Sequence, residues 1–367
     1  MKKKYYLIAL LIVTFLPDAR SQETMTERIS KAKAVTSLSR NLSATIQECR
    51  RIADAALKEK PSPVKTISSE GRLKGDPVKA ATVAAIRDFK KTYALAIAYK
   101  VTGNQEYLKK ASEFMLAWAH VNQSEGNPIN DTNLDMMIDA YDLIGTSLPG
   151  RDANIIVRWL RNTADAEIKS IPLSKKKEIA NNNWNSHRLK IIGQIGYAIK
   201  EPSYQEFVIS QLKTQLERNL LPEGSSIDFK LRDALHYHVY NLEPLLKLAI
   251  VIKQNGGGDF YSYQTKSGSS LKKSVKWLVP YLNGVKSHQE YVHSTVAFDR
   301  KRAENGEAAY QTGVLFKPEE GLKTLALAIY FDQSYDQIYR KIKGSKRNES
   351  DWQLLYQMMK ASDFTEK

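Results

Sequence analysis

Apolar residues recur three and four positions apart along most of this chain, and that spacing constrains the fold more than any other feature. Ile86, Phe89, Tyr93 and Ile97 follow it, which puts the four side chains on one face of an α-helix. Comparable runs continue toward the C-terminus, among them "LDMMIDAYDLIG", "ANIIVRWLRNTADAEI" and "EPLLKLAIVIK". No segment combines apolar–polar alternation with hairpin turns, the pattern typical of strands. We therefore predict an all-α fold.

Long polar loops separate these helical runs. Examples are "KPSPVKTISSEGRLKGDP", "NQSEGNPINDT" and residues 283–313, and loops of such length in a compact domain are usually functional. No fixed repeat period argues for a regular solenoid. Successive antiparallel helix pairs with long loops on one side predict an (α/α) toroid, or incomplete barrel, with a cleft beneath the loops.

The first residues have the layout of a secretory signal peptide. Three lysines at positions 2–4 precede the apolar stretch "YYLIALLIVTFL", and "ARS" supplies small residues before Gln22. The stretch is short for a membrane span, and no second one follows. We interpret residues 1–21 as a signal peptide and 22–367 as one domain. We expect a periplasmic or secreted protein without membrane insertion after signal cleavage.

The sequence predicts neither a disulfide nor a cofactor. Cys49 is the single cysteine and lies in a helical, mostly apolar setting, so we expect it to be buried. There is no cysteine and histidine cluster with zinc spacing, no phosphate-binding loop and no dinucleotide fingerprint. The segment "NPINDTNLD" lacks the glycine and final glutamate of a calcium-binding EF-hand loop. We interpret it as a loop on the cleft rim and expect no metal.

The charge balance indicates a polyanionic partner. The net charge is +15. Loss of residues 1–21 would remove four basic residues and one acid, which leaves +12. For an exported protein an acidic polysaccharide is a better partner than nucleic acid. The alternative is that the lysines only keep the protein soluble.

Two polar stretches are candidates for chemistry. The first is "NNNWNSHR", residues 181–188, at the start of an apolar helix. On a helix Asn183 and His187 share one face, whereas Trp184 and Arg188 share the adjacent face. The alternative is an elaborate N-cap with a core tryptophan and a surface arginine.

The second stretch is "LRDALHYHVYNLEPLLKLA", residues 231–249. It places two of the six histidines and two tyrosines just ahead of an apolar helix. His236 and Tyr240 are four positions apart and therefore share a helical face. A concentration of imidazole, phenol and guanidinium groups beside an amphipathic helix indicates a site.

Together these stretches resemble the alginate lyase superfamily of polysaccharide lyases. The resemblance consists of an Asn-Asn pair that opens a helix and, some fifty residues later, an A-L-x-Y-H-x-Y helix, here residues 234–240. It extends over roughly residues 65–250. The family is an (α/α) toroid that cleaves uronic-acid polymers by β-elimination. The resemblance implies an Asn/His pair that binds the uronate carboxylate and a tyrosine that moves protons.

Carried over residue by residue, the resemblance implies four catalytic residues. Tyr240 matches the family tyrosine, with His238 two positions before it, and Asn182 matches the functional asparagine. Asn183 stands where the family has a histidine, and the available imidazole is His187, one helical turn later. The predicted catalytic set is Tyr240, His187, Asn182 and Asn183.

The substrate-binding part departs further from the family. Asp233 occupies the place of the family arginine, with Arg232 one position earlier, and Arg72 and Lys74 replace the upstream lid tyrosine. The predicted substrate-binding residues are Arg232, His238, His236, Arg188, Trp184, Arg72 and Lys74. A separate polar cluster, which includes His288, Glu290, His293, Asp299, Arg300 and Arg302, we leave outside the catalytic set.

The chemistry explains why such groups are needed. The C5 proton of a 4-linked uronate is only weakly acidic, so hydrogen-bond donors and positive charge must offset the carboxylate. Cationic neighbours can lower the tyrosine pKa of about 10. Tyr240 can take the C5 proton and return it to O4 only where both lie on one side of the sugar. We therefore predict mannuronate-rich alginate or, alternatively, a glucuronate polymer. Guluronate needs a second base, for which His187 is available.

Two other functions remain open from the sequence. A glycoside hydrolase would need two opposed carboxylic acids, for which Asp139, Asp142, Asp228 and Asp233 are available without a persuasive pairing. A non-catalytic polysaccharide-binding protein could use the same basic and aromatic groove.

Overall fold

The computed structural model describes residues 42–174, 180–346 and 348–363, so the signal peptide predicted at residues 1–21 lies outside the described part. The described residues contain no strand and only two isolated β-bridges, and the prediction of an all-α fold is confirmed. The helices are α1 (42–56), α2 (Pro77–Ala85), α3 (Arg87–Thr102), α4 (Gln105–Val121), α5 (Pro128–Asp131), α6 (Asp135–Ile144), α7 (Gly150–Ser174), α8 (Asn183–Ala198), α9 (Pro202–Asn219), α10 (Ile227–Arg232), α11 (Leu235–Gln254), α12 (Leu271–Leu282), α13 (Ala297–Glu304), α14 (Leu322–Ala328), α15 (Tyr335–Lys343) and α16 (Ser350–Asp363).

Local sequence signals explain several helix boundaries. Asp76 caps α2 by accepting hydrogen bonds from the backbone of Val78 and Lys79, and Pro77 occupies the first helical position. α3 ends at Gly103, whose φ of 70° is readily adopted by glycine. Only two residues then separate α3 from α4, so the two helices pair.

The helices around the cleft are α3, α6, α8, α11 and α14. α8 packs against α9 and α11, and α3 packs against α4 and α6. α8 is buried on almost every side. Most buried apolar side chains of the described chain belong to one connected core. α8 and α11 are therefore held rigidly against each other.

Cys49 is fully buried in α1, as its apolar neighbours predict. Burial, assisted by the charge of Glu48, raises the pKa of its thiol to about 12. A thiol with such a pKa is protonated and unreactive at neutral pH. No helix in the described residues is both long and apolar enough to cross a bilayer.

Candidate active site

A cleft of about 400 Å³ opens between these helices. His187 and Tyr240 lie in its wall, together with Thr132 and Asn133 from the segment that follows α5. Its charged lining residues are Arg87, Lys90, Lys190, Lys247, Lys323, Asp135, Glu243 and Glu349. Basic residues outnumber acidic ones in this lining, which suits an anionic ligand.

His187 and Tyr240 are in direct contact across the interface of α8 and α11. Their ring centroids are 4.3 Å apart, with 43° between the ring planes. His187 is only 4% exposed. Burial, reinforced by the charges of Lys190 and Lys323, lowers the pKa of His187 well below its usual range. The imidazole is therefore neutral at pH 7.

A hydroxyl group holds the other side of the His187 ring. The Oγ1 atom of Thr132 lies 2.8 Å from His187 Nδ1. Lys190 Nζ donates to the same Oγ1 over 2.8 Å. His187 Nε2 is buried and has no hydrogen-bond partner within the described part of the chain.

Tyr240 sits half-buried among other aromatic rings. The rings of His236 and Tyr237 both lie 6.4 Å from it. Burial, helped by Tyr237 and Glu243, raises the pKa of Tyr240, and Arg302 acts in the opposite direction. Its hydroxyl is thus protonated in the free protein at neutral pH.

Arg302 is a residue whose place near Tyr240 sequence reasoning missed. It donates to the Tyr237 hydroxyl over 2.9 Å and lies 4.3 Å above the Tyr310 ring. Within "VAFDRKRAENG" nothing distinguishes it from Arg300, which the structure leaves exposed. Only the tertiary structure separates the two.

Lysines on α8, α11 and α14 also line the cleft, and sequence analysis selected none of them. Lys190 approaches Asp135 to 3.5 Å, Lys247 binds Asp139 over 2.6 Å, and Lys323 lies 3.7 Å from Asp135. Two of them interrupt apolar runs, in "LKIIGQI" and "PLLKLAIVI". Buried charges require partners, so a lone lysine in a buried apolar helix was an available signal.

Ion pairing influences the charge states of these lysines and their acidic partners. Burial opposes ionisation of Asp135, but Lys190 and Lys247 outweigh it and hold the pKa of that carboxyl well below its usual range. Burial lowers the pKa of Lys190 to about 8, although Asp135 works against the shift. Lys190 therefore remains mainly charged at pH 7.

The two asparagines of the predicted catalytic set do not line the cleft. Asn182 is the N-cap of α8, and its side chain accepts from Trp184 N over 3.0 Å. Asn183 donates to Asp228 Oδ1 from its backbone and its side chain, over 2.9 and 2.7 Å. The Asn182 oxygen and the Asn183 N–H groups are thus used in hydrogen bonds within the protein, and neither residue lies in the cleft lining.

A buried polar network continues from that point behind α8. Asp228 also accepts from Asn219, and Asn219 accepts from Asn241 over 2.6 Å. Asn241 in turn accepts from Ser186. Burial raises the pKa of Asp228, whereas the hydrogen bonds from Asn183 and Asn219 lower it. The network joins α8, α9, α10 and α11.

Three further residues predicted to bind substrate lie outside the cleft lining. Arg188 is buried and binds Glu167 over 3.1 Å on a side of α8 away from the cleft. His238 is buried between Ser226 and a backbone carbonyl, and burial lowers its pKa to about 4. Trp184 is partly buried and does not line the cleft.

The remaining predicted residues lie at the periphery. Arg232 forms an ion pair with Asp299 and stacks on the Tyr237 ring at 3.8 Å. His236 approaches Glu320 to 3.1 Å at the edge of the aromatic group. In the upstream loop Arg72 pairs with Asp76 over 3.0 Å, and the backbone N–H of Lys74 donates to Glu307. None of these four residues lines the cleft.

Comparison with known proteins agrees with this architecture. An alginate lyase from Bacteroides ovatus superposes with a TM-score of 0.63 at 16% identity, covering 90% of this chain and 97% of that chain. Alginate lyase A1-III from Sphingomonas species A1 superposes with a TM-score of 0.49 at 17% identity, covering 65% and 76%. The (α/α) toroid prediction is confirmed. No curated protein sequence matches the chain.

The family itself is settled by sequence. The family model described as alginate lyase matches residues 33–288, which is more than half of the chain. The matched range includes both polar stretches and the helices that bring His187 and Tyr240 together. The chain belongs to the alginate lyase family and is a polysaccharide lyase.

Proposed function

We propose that this enzyme cleaves 4-linked polyuronates, mannuronate-rich alginate first, by β-elimination at the contact between His187 and Tyr240. The observation that supports this is the contact between a neutral imidazole and a phenol in the wall of a basic cleft, with 4.3 Å between the two ring centroids. A glucuronate polymer is the second candidate, because it presents C5–H and O4 with the same relative geometry.

In this mechanism the uronate carboxylate lies against His187, within the field of Lys190 and Lys323. Donors and charge aimed at that group stabilise the enolate that forms when C5 loses its proton. Tyr240, as phenolate, takes the proton. The C4–O4 bond then breaks as the C4=C5 double bond forms, and the same tyrosine returns the proton to O4.

A hydrolase is a poorer fit to the acids that sequence analysis considered. Asp139 is bound to Lys247, and Asp228 is buried in the network behind α8. Hydrolysis needs two carboxyl groups that face one glycosidic bond. Asp139, Asp142, Asp228 and Asp233 all lie outside the cleft lining.

The test is a substrate survey with the purified enzyme. Polymannuronate, polyguluronate and glucuronan are incubated separately, and unsaturated chain ends are detected by their ultraviolet absorbance. We expect absorbance to rise with polymannuronate or glucuronan. Cleavage of polyguluronate alone would contradict a single tyrosine acting on one face of the sugar, and release of saturated sugars would indicate hydrolysis.

Export is part of the same proposal. The lysine-led apolar segment at residues 1–21 and the basic charge suit an enzyme that meets polyuronate in the periplasm or outside the cell. Sequencing the N-terminus of the mature protein tests this proposal. We expect it to begin near Gln22.

A further inference from the structure

His187, Thr132 and Lys190 form a continuous hydrogen-bonded chain in the wall of the cleft. Lys190 Nζ and His187 Nδ1 each lie 2.8 Å from Thr132 Oγ1. Lys190 is 4% exposed, and Thr132 begins the short turn Thr132–Leu134 that follows α5. Thr132 belongs to "NPINDTNLD", which sequence analysis interpreted only as a rim loop.

The donors and acceptors that each group can offer indicate which way these hydrogen bonds run. A charged lysine has donors and no acceptor, so Thr132 Oγ1 must accept from Lys190. A hydroxyl has one hydrogen to donate, and the other partner of this oxygen within the described residues is His187 Nδ1. Donation to Nδ1 is the arrangement that gives the Thr132 hydrogen an acceptor within the described residues. Because the ring is neutral, its one proton is then on Nε2.

The Tyr240 carbonyl, which interacts with the His187 ring, also favours a proton on Nε2. Pro244 has no N–H, so the carbonyl of Tyr240 lacks its usual partner one helical turn later. That carbonyl interacts with His187 and raises its pKa against the effect of burial. A carbonyl can accept only from an N–H, and Nδ1 already contacts Thr132, so the interaction favours a proton on Nε2.

We propose that Lys190 and Thr132 are positioning residues that hold His187 as the Nε2–H tautomer, so that it donates to the uronate carboxylate and does not accept the C5 proton. This inference rests on the proposed function for the identity of the ligand. It adds that Lys190 and Thr132 decide whether His187 acts as a hydrogen-bond donor or as a base. A buried N–H without a partner is unfavourable, and a substrate carboxylate would supply that partner.

The carboxylates around Lys190 favour its charged form, whereas the neighbouring lysines oppose it. Asp135 lies 3.5 Å from its Nζ, and Asp139, Lys247 and Lys323 complete the charged surroundings. Lys247 makes a matched control, because it is another buried, ion-paired lysine of the cleft but binds Asp139 and Gln353, not Thr132.

The tautomer can be read directly by nitrogen-15 NMR of histidine-labelled enzyme, with His187→Gln used to assign the resonances. In the wild type we expect Nε2 to be protonated and Nδ1 to be unprotonated. Thr132→Val, which keeps the shape but removes the hydroxyl, should produce a mixture of tautomers, and Thr132→Ser should preserve the wild-type pattern. Lys190→Met should also disturb it, whereas Lys247→Met should not.

Kinetics on the polymer cleaved best provides the second measurement. We expect Thr132→Val to lower kcat/KM by about tenfold or more, the effect typical of losing a group that orients a functional histidine. Thr132→Ser should remain within about threefold of the wild type. Circular dichroism and thermal melting establish that each variant is folded.

The outcomes separate this inference from the proposed function. A wild-type Nδ1–H tautomer, or an unchanged Nε2–H tautomer in Thr132→Val, would overturn the positioning role whatever the activity. If the tautomers behave as expected but His187→Gln cleaves polyuronate normally, the orienting chain stands and the role of His187 in the proposed function is wrong.

Discussion

The two sides of α8 use similar polar side chains for opposite purposes. On the side behind the cleft, Asn183 donates to Asp228 and Ser186 donates to Asn241. On the cleft side, His187 contacts Tyr240 and leaves Nε2 without a partner. A polar group with every hydrogen bond made stabilises the fold. A buried polar group with one bond missing is available to a ligand.

The segment "NNNWNSHR" is dense in polar groups because one helix start must cap itself and join three neighbouring helices. The density of polar residues therefore indicated where α8 begins, and the structure distinguished His187, which lines the cleft, from the amides behind it.

The largest expected effect is at Tyr240. Tyr240→Phe removes the hydroxyl that would carry the proton, so we expect kcat to fall by about a thousandfold or more while affinity for polymannuronate is kept. Turnover is measured by absorbance and binding by calorimetry. Tyr197→Phe, in the same two-helix region but outside the cleft lining, should have little effect. Near-normal turnover in Tyr240→Phe would show that the Tyr240 hydroxyl does not carry the proton.

The next effect tests the side behind the cleft. Asp228→Asn turns an acceptor of three hydrogen bonds into a group that sets an amide N–H against donors of Asn183 and Asn219. We expect the free energy of unfolding to fall by about 3 kcal/mol, measured by denaturant titration. Asp259→Asn at an exposed position is the control. The folded variant should keep most of its kcat, and a loss of turnover without a loss of stability would show that the network is part of the chemistry.

His238 should make stability depend on pH. Burial lowers its pKa from 6.5 to about 4 in the folded protein, so the unfolded chain binds the proton first. The contribution is complete above pH 6.5 and is lost as pH falls toward 4, by up to about 3 kcal/mol. The measurement is unfolding free energy against pH for wild type and His238→Gln. We expect a shallower decline in the variant, and equal slopes would contradict a buried neutral imidazole.

The smallest effect sharpens the roles within the cleft. Because the pKa of Tyr240 is raised by burial, its phenolate fraction grows about tenfold per pH unit below that value. If Tyr240 is the base, kcat/KM should rise about tenfold per pH unit between pH 6 and 7.5, an interval below the pKa of about 8 of Lys190. If neutral His187 were the base, its lowered pKa would give a flat profile in that interval.

Sequence reasoning found the two rings but not their surroundings. Tyr240 and His187 were identified from short motifs. Thr132 lies 55 residues from His187 along the chain, and no local pattern links them. His238 satisfied the same motif as Tyr240, yet it faces the opposite side of α11 and is buried. A motif carries residue identity, whereas orientation depends on which helix packs against which face.

By itself the sequence determined the all-α class, the start of α8 at its asparagine cap and the presence of a phenol and an imidazole in the right helices. Helix periodicity and capping depend on residues within a few positions, so they can be read locally. The tertiary structure alone decided that Asn183 serves Asp228, that Lys190 and Thr132 support His187, and that Arg302 approaches Tyr240. Those pairings depend on how distant helices pack, because a buried polar group is satisfied by whichever partner the fold brings to it.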